Sequence, residues 1–203
     1  MQIMKIKLKE ISNIRLGYSF RSKFHRENKG NVKVIQMKDL TEDLRISKDS
    51  LDRTQLNDFK EHHKVRKNDL IFKARGNDIT ACLLDFEINN VILAAPLLRI
   101  RIEAKNILHE YVFWYINQRS AQAYFASRTK GTTQKMINKQ SIEELEIKIP
   151  SLEQQHKIVK IAQLAEKEQK LLENLRIKKS EFISAILLNN VKENNYGNKS
   201  SNR

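Results

Sequence analysis

Two stretches of the chain combine side chains that grip phosphates with side chains that read base edges, and neither contains a carboxylate. Between Glu10 and Glu27 lie Arg15, Arg21, Lys23 and Arg26, interleaved with Tyr18 and Phe20 and preceded in part by Gly17. Between Glu110 and Glu143 lie Arg119, Arg128, Lys130, Lys135 and Lys139, together with Thr129, Thr132, Thr133 and Gln134. A guanidinium can bond guanine bidentately, a carboxamide can do the same for adenine, and a threonine can bond a phosphate or touch a thymine methyl. Both windows therefore suit contact with duplex DNA. The plain alternative is that these cations only solvate a surface, as most exposed Arg and Lys do.

Net charge favours the first reading. The 203 residues carry a formal charge of +14, and a strongly basic surface attracts phosphate backbones through counterion release. Residues 1–150 hold 28 Lys and Arg against 18 Asp and Glu, whereas residues 151–203 hold 10 against 6. Most of the excess thus sits before residue 150.

Catalytic chemistry finds little to work with. Adenine methylation would call for an Asn/Asp-Pro-Pro-aromatic motif, and the only prolines are Pro96 and Pro150. A magnesium nuclease needs converging carboxylates; Glu103-Ala104-Lys105 and Glu146-Ile147-Lys148 have a Glu-x-Lys spacing, but such triplets arise by chance in a chain 31% charged. The pair His62-His63 has no further ligand at metal-binding spacing, and the lone Cys82 excludes both a disulfide within the chain and a cysteine-based zinc site. No phosphate-binding Gly-x-x-x-x-Gly-Lys occurs. No cofactor is expected. Nor is there an apolar run of about 18 residues or a signal-peptide core, so the expected compartment is the cytoplasm, away from membranes.

The elements that must position these residues read as a mixed α/β domain. Met4 to Leu8 reads as a strand or a helix start, and Asn31 to Met37 as a strand after the Lys29-Gly30 turn. Ser50 to Leu56 reads as one or two helical turns. Asp69 to Ala74 and Ile79 to Phe86 read as strands separated by the Gly76-Asn77 turn. Val91 to Ile102 reads as a strand with an edge or bulge at Pro96. Glu110 to Phe125 has helical period, which makes Trp114 and Tyr115 packing residues rather than base-stacking platforms. Ser141 to Leu145 suggests a turn of helix with a Ser141–Glu144 capping box, and Glu146 to Ile149 a brief strand.

The last element is a long amphipathic helix with Ser151 as its N-cap. Ile158, Ile161, Ala165, Leu172, Leu175, Phe182 and Ile186 recur at steps of three, four or seven, a coiled-coil seam flanked by Leu164, Leu171, Ile183 and Leu187. Glu168 and Lys179 interrupt it, which fits a short, partner-specific pairing rather than a fibre. Some 36 residues of helix would extend about 54 Å, too far to bury the stripe on a domain of this size. Residues 191–203, polar from Lys192 onward, are expected to be disordered.

One segment ties domain to helix: Gly131 to Val159, GTTQKMINKQSIEELEIKIPSLEQQHKIV. It resembles the specificity (S) subunits of type I restriction-modification systems, whose recognition domains close with a polar Gly turn, a run ending in Ile-Pro, and a helix opening Leu-x-x-Gln then Ile-Val. Gly131, Thr132, Thr133 and Gln134 match the turn; Ile147, Ile149 and Pro150 match the strand exit; Leu152, Gln154 or Gln155, Ile158 and Val159 match the helix entry. Upstream, VRKNDLIFKARGND (Val65 to Asp78) is similar to the family's strand segment, with Asn68 where glycine is commoner. The resemblance covers roughly residues 5 to 190.

The resemblance implies an α+β target-recognition domain over residues 1–150 and a helical spacer and dimerisation region over 151–190. It implies a non-catalytic, sequence-specific subunit that directs an adenine methyltransferase, with or without a restriction subunit. Candidate DNA contacts are Arg15, Tyr18, Arg21, Lys23, Lys73, Arg75, Asn77, Arg128, Lys130, Thr132, Thr133, Gln134 and Lys135. Family subunits usually carry two recognition domains and two spacers, and this sequence has room for one of each. It resembles half a subunit, so a homodimer through the helix and an interrupted palindromic target are expected. The rival reading is a basic coiled-coil adaptor for protein or RNA.

Overall fold

Period-two alternation gives the strands of this chain two faces that meet different neighbours. The computed structural model describes residues 4–20, 24–41, 43–49, 51–76, 78–129 and 135–197, the last six by backbone alone. Strand β1 (Met4–Lys7), the single turn α1 (Leu8–Ile11) and β2 (Ser12–Leu16) come first. They are followed by β3 (Val32–Ile35), β4 (Asp52–Thr54), β5 (Leu70–Lys73), β6 (Ala81–Leu83), β7 (Val91–Leu93) and β8 (Leu97–Ile102). Helices α2 (His109–Ile116), α3 (Arg119–Ala126) and α4 (Lys139–Glu143), strand β9 (Glu146–Ile149) and the long α5 (Leu152–Gly197) complete the order. This is the expected mixed α+β domain followed by a long helix.

A four-stranded antiparallel sheet runs β2-β8-β5-β6, a three-stranded one β4-β3-β7 with β3 and β7 parallel, and β1 pairs antiparallel with β9, Met4 opposite Ile149. Alternation decides the packing. In β5, Leu70 and Phe72 share a core with Val112 and Ile116 of α2 and Phe125 of α3, whereas Ile71 points into a second core with Ile35, Val91 and Leu93 of the other sheet. Cys82 lies in that second core, where burial pushes its thiol up to about 12. Asn68 takes φ 72°, a left-handed conformation that Asn tolerates, and its N–H bonds Leu84 O at 2.7 Å. That turn launches β5.

Several elements differ from the sequence reading for reasons that lie elsewhere in the chain. Ser50 to Leu56 is not helical: β4 pairs with β3, and at Gly30 a Cβ would lie 2.4 Å from the Thr54 carbonyl carbon, so only glycine permits the approach. Val91 to Ile102 is not one strand with a bulge but two strands in different sheets, divided at Pro96. The helix expected over Glu110 to Phe125 breaks at Asn117, whose carboxamide bonds both the N–H and the C=O of Ala81 at 3.1 and 3.0 Å. Ser141 lies inside α4 rather than capping it; Asn138 is the cap, its Oδ1 accepting from Ser141 N at 2.7 Å. Glu144 turns instead to Lys7 and Lys9, each 2.5 Å away, and their ammonium groups hold its carboxyl down at about 2. Trp114 and Tyr115 do pack against the core, as expected. Strand β2, which the sequence did not announce, pairs with β8 from Ser12 to Leu16.

Residues 1–159 form one compact unit and residues 160–203 a second. The opening turns of α5 belong to the first unit. Ser151 caps them as expected, its Oγ accepting from Gln154 N at 3.4 Å. Gln155 is fully buried: its Oε1 accepts from Leu108 N at 3.0 Å, and its Nε2 donates to Asn106 O and Pro150 O, both at 3.1 Å. Of the two glutamines in the Leu-x-x-Gln match, Gln155 is therefore the one that joins helix to domain. Gln155→Ala would remove three part-buried hydrogen bonds to the backbone and is expected to cost about 2 kcal/mol. A urea midpoint lowered with unchanged slope would register it, while Gln154→Ala should stay within about 0.5 kcal/mol. Beyond residue 190, α5 continues to Gly197 rather than yielding at once to a tail, since neither glycine nor proline interrupts it earlier.

Among the described residues, no helix is long and apolar enough to cross a membrane.

Candidate nucleic-acid interface

Two segments that the sequence singled out separately meet in space. Beyond β5 the chain passes through Ala74, Arg75 and Gly76, and this run pairs with residues 135–137: Ile137 N donates to Ala74 O and Gly76 N to Lys135 O, both at 3.0 Å. Arg75 stands opposite Met136 in this bridge. Alternation sorts their side chains, with Ala74 and Ile137 in the core and Arg75, Lys135 and Met136 exposed. Gly76 takes φ 123°, a value that favours glycine, and the Lys73 Cε lies 3.1 Å from where its Cβ would be.

Lys73 and Lys135 line a cavity of about 550 Å³ together with Thr41, Thr80, Gln122 and Thr129. In sequence, Thr129 and Lys135 flank the segment 130–134 that carries Lys130, Thr132, Thr133 and Gln134. Those four residues, like Arg21, Lys23 and Asn77, lie outside the described residues. Two of the candidate cations, Lys73 and Lys135, thus share one cavity, and a third, Arg75, lies on the backbone run paired beside them.

Others stand apart. Arg128 follows α3 and lies over the Tyr124 ring, 3.7 Å from its centroid, with its Nη1 donating to Ser127 Oγ at 3.0 Å. It lines a different cavity, with Lys7, Ser120, Asn138 and Glu144. Arg15 and Tyr18 border a third, with Lys60, His62, His63 and Lys139. The Tyr18 ring meets Phe20 and His63 edge-on and packs on the small core of Val32, Val34, Ile92 and Ala94. Burial, together with the neighbouring His62, Lys60 and Arg99, lowers the His63 pKa, and His63 Nδ1 accepts a hydrogen bond from Lys60 N at 3.2 Å.

Nothing in the local pattern announces the role of the arginines on β8. Arg99 is 5% exposed; its Nη1 donates to His62 O and Lys64 O at 3.0 Å, and its Nη2 to Asn13 Oδ1 at 3.2 Å. Arg101 grips Asp69 through Nε and Nη2 at 2.7 and 2.8 Å. These guanidiniums are taken up by protein partners: they hold the 60–66 segment on the sheet and so position Lys60, His62 and His63. The alternating pattern of LLRIRI reveals a strand, but the buried Arg99 is satisfied by the His62 and Lys64 carbonyls and Asn13, partners that no local spacing points to. Among the described residues, no three His, Cys, Asp or Glu side chains gather as they would around a metal ion.

Most of the helix seam is exposed. Ile161, Leu172, Leu175, Phe182 and Ile186 are between 45% and 68% accessible, and Ala165 is exposed as well. Ile158 differs, since it packs with Val159 against the domain core.

Residues 2–180 match the family model described as type I restriction modification DNA specificity domain. The structure is similar to that of a type I restriction-modification S subunit from M. genitalium, with TM-score 0.57 and 15% identity over 86% of this chain and 41% of that one. It is also similar to the HsdS subunit from Thermoanaerobacter tengcongensis, with TM-score 0.64 and 16% identity over 85% and 39%. A chain from a structure on assembly and conformational transition of the type I R-M system gives TM-score 0.68 and 15% identity over 91% and 43%. The likeness to these structures is one of fold, and the chain spans about two fifths of their length. Among curated proteins no match is found.

Proposed function

Because the chain belongs to the type I restriction modification DNA specificity domain family, we propose that it reads a DNA sequence for a partner adenine methyltransferase, with or without a restriction subunit, and performs no chemistry itself. The observation that carries this is the placing of Lys73 and Lys135 on one cavity, with Arg75 on the backbone run that pairs with residues 135–137. Cations there would neutralise phosphates. Thr133, Gln134 and Arg75 are the proposed readers of base edges. The assembly would act in the cytoplasm.

The exposed seam of α5 supports a second element of the reading, pairing of that helix with a second copy of the chain. Twofold symmetry would then present two identical domains to DNA, making the target a pair of inverted half-sites with a gap between them.

Selection from randomised duplexes tests the proposal. The chain should enrich a sequence built of two inverted half-sites, bound at least about a thousandfold more tightly than unrelated duplex. Failure to enrich any sequence, with RNA bound as tightly as DNA, would replace it with the basic adaptor.

A further inference from the structure

The seam of α5 has a symmetry of its own. From Ile161 to Ile186 its positions alternate by steps of four and three: Ile161, Ala165, Glu168, Leu172, Leu175, Lys179, Phe182, Ile186. Glu168 and Lys179 occupy seam positions, and their neighbours one turn away are almost all apolar. Leu164, Ala165, Leu171 and Leu172 surround Glu168; Leu175, Phe182 and Ile183 surround Lys179, with Arg176 as its only charged neighbour. Among the described residues neither has an ion-pair partner within the chain, although Glu166 and Lys170, and Glu173 and Arg176, do pair along the helix.

Laid against a copy of itself in the opposite direction, with the twofold axis passing between Glu173 and Asn174, the seam matches at every layer. Leu172 meets Leu175 and Glu168 meets Lys179. The small Ala165 meets the large Phe182, and Ile161 meets Ile186, each layer occurring twice. Other arrangements fail on charge. A parallel pair in register sets Glu168 against Glu168 and Lys179 against Lys179. An antiparallel slip of one heptad sets Glu168 against Ile186 and Lys179 against Leu175, or, in the other direction, against Leu172 and Ile161. Each slip strands charges on apolar partners.

We infer that α5 joins two copies of this chain as an antiparallel coiled coil in this one register, with two Glu168–Lys179 pairs across the seam selecting both direction and register. The inference rests on the homodimer proposed above and specifies its geometry. Polar seam residues commonly serve in this way, giving up some stability for a unique alignment.

Dimer dissociation constants of the full chain, measured by sedimentation equilibrium, test it. Glu168→Lys and Lys179→Glu each turn two attractive layers into two repulsive ones and should weaken the dimer about tenfold or more. The double variant Glu168→Lys/Lys179→Glu restores two opposite-charge layers and should return to within about threefold of the original. In a parallel pair neither single change alters the number of like-charge layers, so both would be silent. A dimer indifferent to the single changes, or a double variant as weak as they are, overturns the register while leaving the homodimer standing. An original chain that stays monomeric at micromolar concentration overturns both.

Discussion

Replacing Lys73, Arg75 and Lys135 together with alanine is expected to weaken duplex binding about a hundredfold near physiological salt and to flatten its salt dependence. Each phosphate neutralised contributes about −0.9 to the slope of log affinity against log salt, so loss of three contacts should make the slope shallower by about 2.7. The loss should fall almost equally on matched and mismatched duplexes to the extent that these side chains meet phosphates. A discrimination loss confined to one base pair would point to Arg75 as its reader. Net charge alone must be separated from placement. Lys157→Ala, Lys160→Ala and Lys167→Ala, combined on α5, remove the same charge and should change the slope little. Equal effects of the two triple variants would sink the assignment of the cluster.

Asp69→Ala is expected to be the most destabilising single change, at about 3–5 kcal/mol. The carboxylate is 1% exposed and takes two hydrogen bonds from Arg101, while Oδ2 also accepts from Arg66 N at 2.8 Å. Without it, the partly buried Arg101 loses its carboxylate partner while Arg99 stands two residues away on the same strand. Burial lowers the Arg99 pKa, Arg101 lowers it further, and Asp69 is the charge that opposes them. The cost would come from the stranded cation more than from the lost bonds, so Asp69→Leu combined with Arg101→Met should be milder than Asp69→Ala alone. Chemical denaturation decides it: a loss near 0.5 kcal/mol for Asp69→Ala would show that the pair is held too loosely to act as a clamp.

Elements with a strong local pattern were legible in the sequence. Strands β3 and β9 carry apolar alternation and β5 a continuous apolar run between turn residues, and Ser151 marks the start of α5. What depends on a distant partner was not. Three residues, Asp52 to Thr54, become a strand because Gly30 lets them approach β3, and Asn117 ends a helix because Ala81 offers it a backbone pair. The candidate site divides along the same line. Lys73, Arg75 and Lys135 could be nominated from composition and resemblance, but their meeting is made by the pairing of Ala74 with Ile137, which no local spacing encodes. Tyr18 stands among basic residues in sequence, and its ring packs edge-on against Phe20 and His63, contacts that sequence spacing does not announce. Gln155 was half legible: the match offered two glutamines, and only burial distinguishes them.

The pairing of β1 with β9 bears on how the domain is made. Met4 lies opposite Ile149 and Lys7 opposite Glu146, and Leu8 N reaches Leu145 O at 2.9 Å, so the strand synthesised first is secured by the one synthesised last. On the ribosome, β1 must wait, unpaired, until nearly the whole domain has emerged. Contacts so far apart along the chain raise the contact order and slow the final closure.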